Sequence, residues 1–229
     1  MEGQQAEGVY MEEIIEQIGG SEYLKKLPEK LSGFVLTHQY SRDDQVYKIF
    51  SYHNQQQRRS FSVIYDNATK EYIARVTVGL VEFCDIAYIV ADLAALEKVL
   101  AGHLENTLSQ LGCFDIKNLD LIFREKKIAE WAYAAQLPVQ AAGFELFIRP
   151  EQPLKIINGS YIILDYSDFS SDSNLIIYYN IYRDEFFGEL RIKKTPQMAA
   201  VFETKLLSEL EEKLSLYLVP TLEDMRKQI

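Results

Sequence analysis

The sequence predicts an α+β protein: a tandem duplication of a helix–four-stranded antiparallel meander–helix unit, packed as a pseudo-dimer, with copies over residues 1–112 and 113–229. Three observations predict it. Segments recur along the chain at offsets of 110 and then 114, apolar residues alternate with polar ones in runs of strand length, and a leucine stripe of helical period ends each half. The recurrence begins with Leu27-Pro28 and Gly33-Phe34-x-Leu36, matched by Leu137-Pro138 and Gly143-Phe144-x-Leu146. From Val46 to Leu111 the match continues without a gap, at an offset of 114 in residue number. Tyr47, Ile49, Tyr52, Tyr65 and Glu71 meet Tyr161, Ile163, Tyr166, Tyr179 and Glu185. Leu93, Leu96, Glu97, Leu100, Leu104, Thr107 and Leu108 meet Leu207, Leu210, Glu211, Leu214, Leu218, Thr221 and Leu222. The offset grows by four residues between Leu146 and Ser160, where Arg149-Pro-Glu-Gln-Pro153 reads as a loop that tolerates insertion.

Taken in order, Met11–Ile18 has helical apolar spacing and stops at Gly19-Gly20, and the run from Arg124 to Gln136 is its counterpart. Leu-Pro then ends each short helix, because proline disfavours helical geometry in the residue before it. Four strands follow: Phe34–Tyr40, Val46–Tyr52, Phe61–Tyr65 and Tyr72–Val78, with polar turns at 42–45, 54–57 and 66–69. The second copy repeats the plan over Phe144–Ile148, Ser160–Tyr166, Asn174–Tyr182 and Glu185–Lys193. Leu93, Leu96, Leu100, Leu104, Leu108 and Leu111 form one helical stripe. In the second copy Thr195-Pro196 reads as a helix start, Leu207 to Leu218 as the matching stripe, and Pro220 as a kink or stop near Val219. One face of each meander has to take its long helix, and an approximate two-fold between copies follows by analogy with homodimers. In broad outline such a paired acidic α+β module is similar to bacterial secretion-chaperone-like folds. That is a likeness of architecture that brings no function with it, and no residue motif names a family.

Composition narrows the function classes. Hydrophobic residues make up 48% and charged residues 25%, as in a folded globular chain. Twenty-four basic against 34 acidic residues leave a net charge of -10, which argues against nucleic acid as a partner. Cys84 and Cys113 are the only cysteines, too few for a disulfide framework or a four-ligand zinc site. The N-terminus is polar and acidic rather than signal-like, and the most apolar stretch, Ile86–Ala101, is interrupted by Asp92, Glu97 and Lys98. These features predict a cytoplasmic protein with reduced thiols and no membrane partner.

Chemistry-bearing motifs are absent: the sequence has no phosphate-binding loop, no Gly-x-Ser-x-Gly, no His-Glu-x-x-His and no Cys-x-x-Cys. The reading is therefore no catalytic residue, no metal and no cofactor. His38 is assigned to the apolar side of the first strand, opposite Phe50 rather than His53, and His103 to helix packing. Asp43-Asp44 and Asp165, Asp168 and Asp172 read as solvated loop acids, with cation chelation as the alternative. Arg58-Arg59, in the loop before the third strand, reads as a solvated basic spot, with the holding of an acidic partner as the alternative. The copies differ on the second face of the third and fourth strands, which Tyr161 and Ile163 join from the second strand. Copy one has Ser62, Ile64, Asp66, Ile73, Arg75 and Thr77 there, and copy two has Ile176, Tyr178, Asn180, Phe187, Glu189 and Arg191. An apolar face of that kind must be covered, by the first copy, by the N-terminal segment, or by a partner chain or ligand. Tyr161, Ile163, Ile176, Tyr178 and Phe187 are accordingly the candidate partner-binding residues. The sequence thus points to a non-enzymatic binding, regulatory or chaperone-like protein that holds a protein partner on a sheet face or in an inter-copy cleft. The alternative is a small-ligand sensor or enzyme with a pocket between the copies.

Overall fold

A computed structural model describes residues 2–229, with side chains from Met11 onward. The chain is α+β, with two antiparallel sheets, and it divides into two compact units at residues 113 and 114.

The first unit runs α1 (Glu2–Gly20), α2 (Glu22–Lys25), β1 (Lys30–Leu31), β2 (Phe34–Asp43), β3 (Val46–Asn54), β4 (Arg59–Asp66), β5 (Glu71–Val78), β6 (Val81–Val90) and α3 (Leu93–Gly112). Its six strands lie in sequence order, each hydrogen-bonded to the next. Strict alternation makes β5 two-sided: Tyr72, Ala74, Val76 and Val78 are buried, and Ile73, Arg75 and Thr77 are half-buried. Leu96, Leu100, Leu104, Leu108 and Leu111 form the buried side of α3, which packs on β4 and β6. Asp92 caps the start of α3 by accepting from the Ala95 N–H at 2.8 Å. At its other end Gln57 Nε2 donates to the Gly112 carbonyl at 2.8 Å, and Arg59 Nη1 to the Leu111 carbonyl. Tyr88 on β6 ties the middle of the helix down through Thr107 Oγ1 at 2.7 Å. The Gly-Phe of the recurring segment has a conformational reason: Gly33 has φ +84°, in the left-handed region that disfavours a side chain.

The second unit runs α4 (Leu121–Glu125), β7 (Gln140–Ala141), β8 (Phe144–Ile148), β9 (Leu154–Lys155), β10 (Ser160–Asp168), β11 (Ser173–Asn180), β12 (Glu185–Ile192), β13 (Thr195–Thr204) and α5 (Leu207–Arg226). The sheet order is β13-β12-β11-β10-β8-β7, with β9 paired to β10 beside β8. Leu210, Leu214, Leu218, Leu222 and Met225 of α5 join Phe123, Ile128, Trp131, Tyr161, Tyr166, Tyr179 and Phe186 in one core. The end of α5 is clamped to the sheet by Arg226. Its Nη1 sits 2.8 Å from Asp168 Oδ2, its Nε donates to the Ala142 carbonyl at 2.9 Å, and the guanidinium lies 4.8 Å from the Phe144 ring centroid.

Five expectations need correction. Each meander has a fifth long strand, β6 or β13. Both were hidden by a bulge. Pairing of β6 runs from Val78↔Val81 to Ala74↔Asp85 and resumes only at Tyr72↔Val90, which breaks the two-residue period that marks a strand. Thr195-Pro196 opens β13 rather than a helix; Pro196 lies opposite Arg191 on an edge strand, where a missing N–H is tolerated. The run from 124 to 136 is the end of α4 followed by two 3₁₀ turns, Ile128–Glu130 and Ala132–Gln136, rather than one helix. Pro220 does not stop α5, which continues to Arg226. His38 and His103 are exposed, although the predicted register His38↔Phe50 is present.

Arg59→Ala removes a charged donor from the end of α3 and is expected to lower stability by about 1–3 kcal/mol in urea unfolding. Burial raises the Asp168 carboxyl, but hydrogen bonds from Ser170, Ser171 and Arg226 outweigh it and hold the group well below the usual carboxylate range. A depressed folded pKa contributes stability that is present above the unfolded value of about 4 and is lost as pH falls below it. The acid-induced loss of stability in the wild type should therefore shrink in Asp168→Asn, as followed by circular dichroism from pH 6 to pH 2.

Candidate functional site: the second face of the β10–β12 sheet

Cross-strand neighbours share a face, and this rule sorts the five candidates. Tyr161 lies opposite Tyr179, and both belong to the core under α5 and α4. The bulge between Ile162 and Leu164 then places Ile163 and Leu164 together in that same core. Tyr161 and Ile163 are therefore not beside the other three, contrary to the sequence reading. Ile176, Tyr178 and Phe187 do share the second face. Tyr178 pairs directly with Phe187, and their rings stack with centroids 4.9 Å apart at 21°. This face is not an open apolar patch, because Ile176 and Tyr178 are only 0% and 4% exposed.

The face also holds polar groups. Downstream of the bulge, Asp165 and Ser167 point away from Leu164 and Tyr166, which lie in the helix-covered core. Asp165 is a strand residue with no exposed surface, which corrects its reading as a loop acid. Ser167 Oγ donates to Asp165 Oδ1 at 2.8 Å, and Asn174 Nδ2 donates to Oδ1 and Oδ2 at 3.2 and 3.3 Å. Asn174 is itself fully buried, and its Oδ1 has no hydrogen-bond partner among the described residues. On β12, directly across from Asn174 and Ile176, Arg191 and Glu189 form an ion pair through Nε and Oε1 at 2.5 Å. Arg191 also hydrogen-bonds Tyr178.

Burial raises the Asp165 carboxyl to about 7, against the opposing hydrogen bonds from Ser167 and Asn174 and the positive charge of Arg191. Burial likewise pushes the Tyr178 phenol up, with the Glu189 carboxylate adding to the effect. Burial therefore favours the neutral carboxylic acid at Asp165, in a site shielded from water. Glu189 and Arg191 were on the face that the sequence reading outlined. Asp165 was assigned a different role and Ser167 and Asn174 were missed, although alternation along Leu164-Asp165-Tyr166-Ser167 marks the strand that carries two of the three.

Tyr161 and Tyr179 have a different task. Tyr161 donates to Asp120 Oδ2 at 2.6 Å, and Lys155 Nζ lies 2.8 Å from the same oxygen. Tyr179 donates to Asp184 Oδ1 at 2.7 Å, and Lys126 Nζ lies 2.6 Å from it. Phe123 of α4 sits between the two rings, 4.2 Å from Tyr161 and 5.7 Å from Tyr179. These Tyr–Asp–Lys sets pin α4 over the core.

Among the described residues no group of three or more His, Cys, Asp or Glu side chains could hold a metal ion. No described helix is long and apolar enough to cross a membrane. No known protein family, curated protein or solved structure matches the chain.

A raised folded pKa means that the contribution of Asp165 to stability is full below the unfolded value near 4 and is lost as pH rises through about 7. Asp165→Asn should remove this slope. In denaturant titrations at pH 4 to 8, the stability of the variant relative to wild type should grow with pH by on the order of a few kcal/mol. A constant difference across that range would show that the carboxyl is not held neutral in the fold.

Proposed function

We propose that this chain is a non-enzymatic binding protein, regulatory or chaperone-like, made by tandem duplication of one α+β unit, and that its second unit holds a protein partner. The duplication reading is supported by pairing registers that recur at the same offset of 114. Ser60↔Thr77 through Asp66↔Glu71 in β4–β5 correspond to Asn174↔Arg191 through Asn180↔Glu185 in β11–β12. Two bulges recur as well, Lys48/Phe50 with Ile162/Leu164 and Tyr72/Ala74 with Phe186/Gly188. Tyr52 donates to the Pro28 carbonyl at 2.7 Å, and Tyr166 to the Pro138 carbonyl at 2.6 Å.

The observation that carries the binding reading is where exposed apolar surface lies. Among large hydrophobic side chains more than 60% exposed, the second unit supplies Leu121, Val139, Tyr182, Met198, Leu206 and Leu216, whereas the described part of the first supplies Ile86. Two units of one architecture need the same apolar surface for folding, so an excess on one of them favours recognition. The acidic groups of this unit support the same reading, since buried Asp165 and Asp168 and half-buried Asp120 and Glu189 are each engaged by neighbouring side chains that hold strands, turns and helix ends together.

A photo-crosslinking amino acid placed at Tyr182, Met198 or Leu216 in the source cells is expected to trap a protein, and one placed at Asn106 of α3 is not. Absence of crosslinks from all three second-unit positions in a folded chain would overturn the proposal. A second reading, a sensor of protons or of a small ligand, is favoured by the neutral-range carboxyl of Asp165 beside Tyr178, Glu189 and Arg191.

A further inference from the structure

We infer that the solvent-facing stripe of α5 is the docking site for a basic amphipathic helix of a partner protein, an inference that rests on the binding-protein reading above. Helical spacing puts Glu212, Leu216, Val219, Pro220 and Glu223 on the side of α5 opposite the buried Leu210, Leu214, Leu218 and Leu222. Leu216 is 64% exposed and Val219 42%, so the core does not require them. The same positions of α3 carry Lys98, Gly102, Glu105, Asn106 and Ser109, all exposed and none a large apolar side chain. The two helices therefore share a buried stripe and differ on the outer one.

The chemistry of the stripe selects the occupant. Apolar Leu216, Val219 and Pro220 are bracketed by exposed Glu212 one turn before and Glu223 one turn after. Pro220 has no N–H to give the Leu216 carbonyl, its usual partner four residues back, which leaves a backbone acceptor within the stripe. Nearby cations are engaged: Lys213 reaches the Glu203 carbonyl at 2.6 Å, Arg226 is committed to Asp168 and Ala142, and Lys227, which also faces the charge of Glu223, pairs with Asp224 at 2.8 Å. The surface thus offers apolar contact and acceptors. It fits a helix with a leucine-like stripe flanked by lysine or arginine, and the net charge of -10 steers such a partner in. A second copy of this chain would set the acidic brackets against their own images, and an anionic membrane would be repelled by them.

The probes are a synthetic 18-residue helical peptide with a leucine stripe flanked by lysines, and a twin flanked by glutamates, each titrated onto the full chain by fluorescence anisotropy. The lysine peptide should protect residues 212–223 from hydrogen exchange and bind more weakly as salt is raised. It should lose at least about tenfold in affinity to Leu216→Ser/Val219→Ser and to Glu212→Lys/Glu223→Lys, and the glutamate twin should bind at least about tenfold more weakly to wild type. Unchanged circular dichroism and melting temperature establish that the variants fold. Equal binding of both peptides, or undiminished binding to the serine variant, would sink the inference. A concentration-dependent dimer in sedimentation that the serine variant abolishes would make the occupant a second copy and overturn it too. If cellular crosslinks from Tyr182 or Met198 persist in the serine variant while the peptide fails, this site falls and the binding reading stands. Loss of all crosslinks from wild type removes the broader reading.

Discussion

Each unit depends on one constraint: an antiparallel meander with an apolar face must have that face covered by a helix. Alternation along β4, β5 and their counterparts β11 and β12 presents rows of Phe, Tyr, Val and Ile to one side, and the leucine stripes of α3 and α5 meet them. Each leucine so buried contributes about 2 kcal/mol relative to exposure, so the stripe as a whole sets where the helix lies. Polar contacts then fix its ends. In the first unit the sheet reaches up, with Gln57 and Arg59 donating to the last carbonyls of α3. In the second the helix reaches down, with Arg226 meeting Asp168 and the Ala142 carbonyl. One mechanical requirement is met by opposite directions of hydrogen bonding.

The second unit carries more than that requirement explains. β10 and β11 are buried along their whole length, on both faces. A carboxyl in such a sheet is expensive to ionise, and Asp165 is tolerated because Ser167 and Asn174 donate to it and Arg191 supplies positive charge. The apolar surface that reaches solvent lies elsewhere, on turns, on β13 and on the outer side of α5. The face singled out by composition is therefore an interior polar network, and the exposed apolar surface lies where the two units differ without any demand from the core.

Much of the architecture was legible in the residues. The His38↔Phe50 register followed from placing the hairpin turn near Asp43, and Phe144–Ile148 has the bounds that its apolar run suggests. Several of the departures share one reason. Bulges in β6, β10 and β13 insert residues that shift the two-residue period, so β6 and β13 did not read as strands and Ile163 was placed on the wrong face. His38 was misread similarly: alternation put it on the apolar side, but the bulge between His38 and Ser41 lies at an edge where little covers the strand.

By itself, the sequence determined the α+β class, the strands that keep a clean alternation and the leucine faces of the long helices. These depend on local periodicity, which a chain carries wherever it goes. Only the tertiary structure decided that Asp165 is buried and pushed toward its neutral form, that Tyr161 and Tyr179 pin α4 through Asp120 and Asp184, and that Arg59 and Arg226 secure helix ends. Those outcomes depend on which distant residues meet across a bulged register, and on how far each is removed from water, and neither quantity is written in the spacing of residue types along the chain.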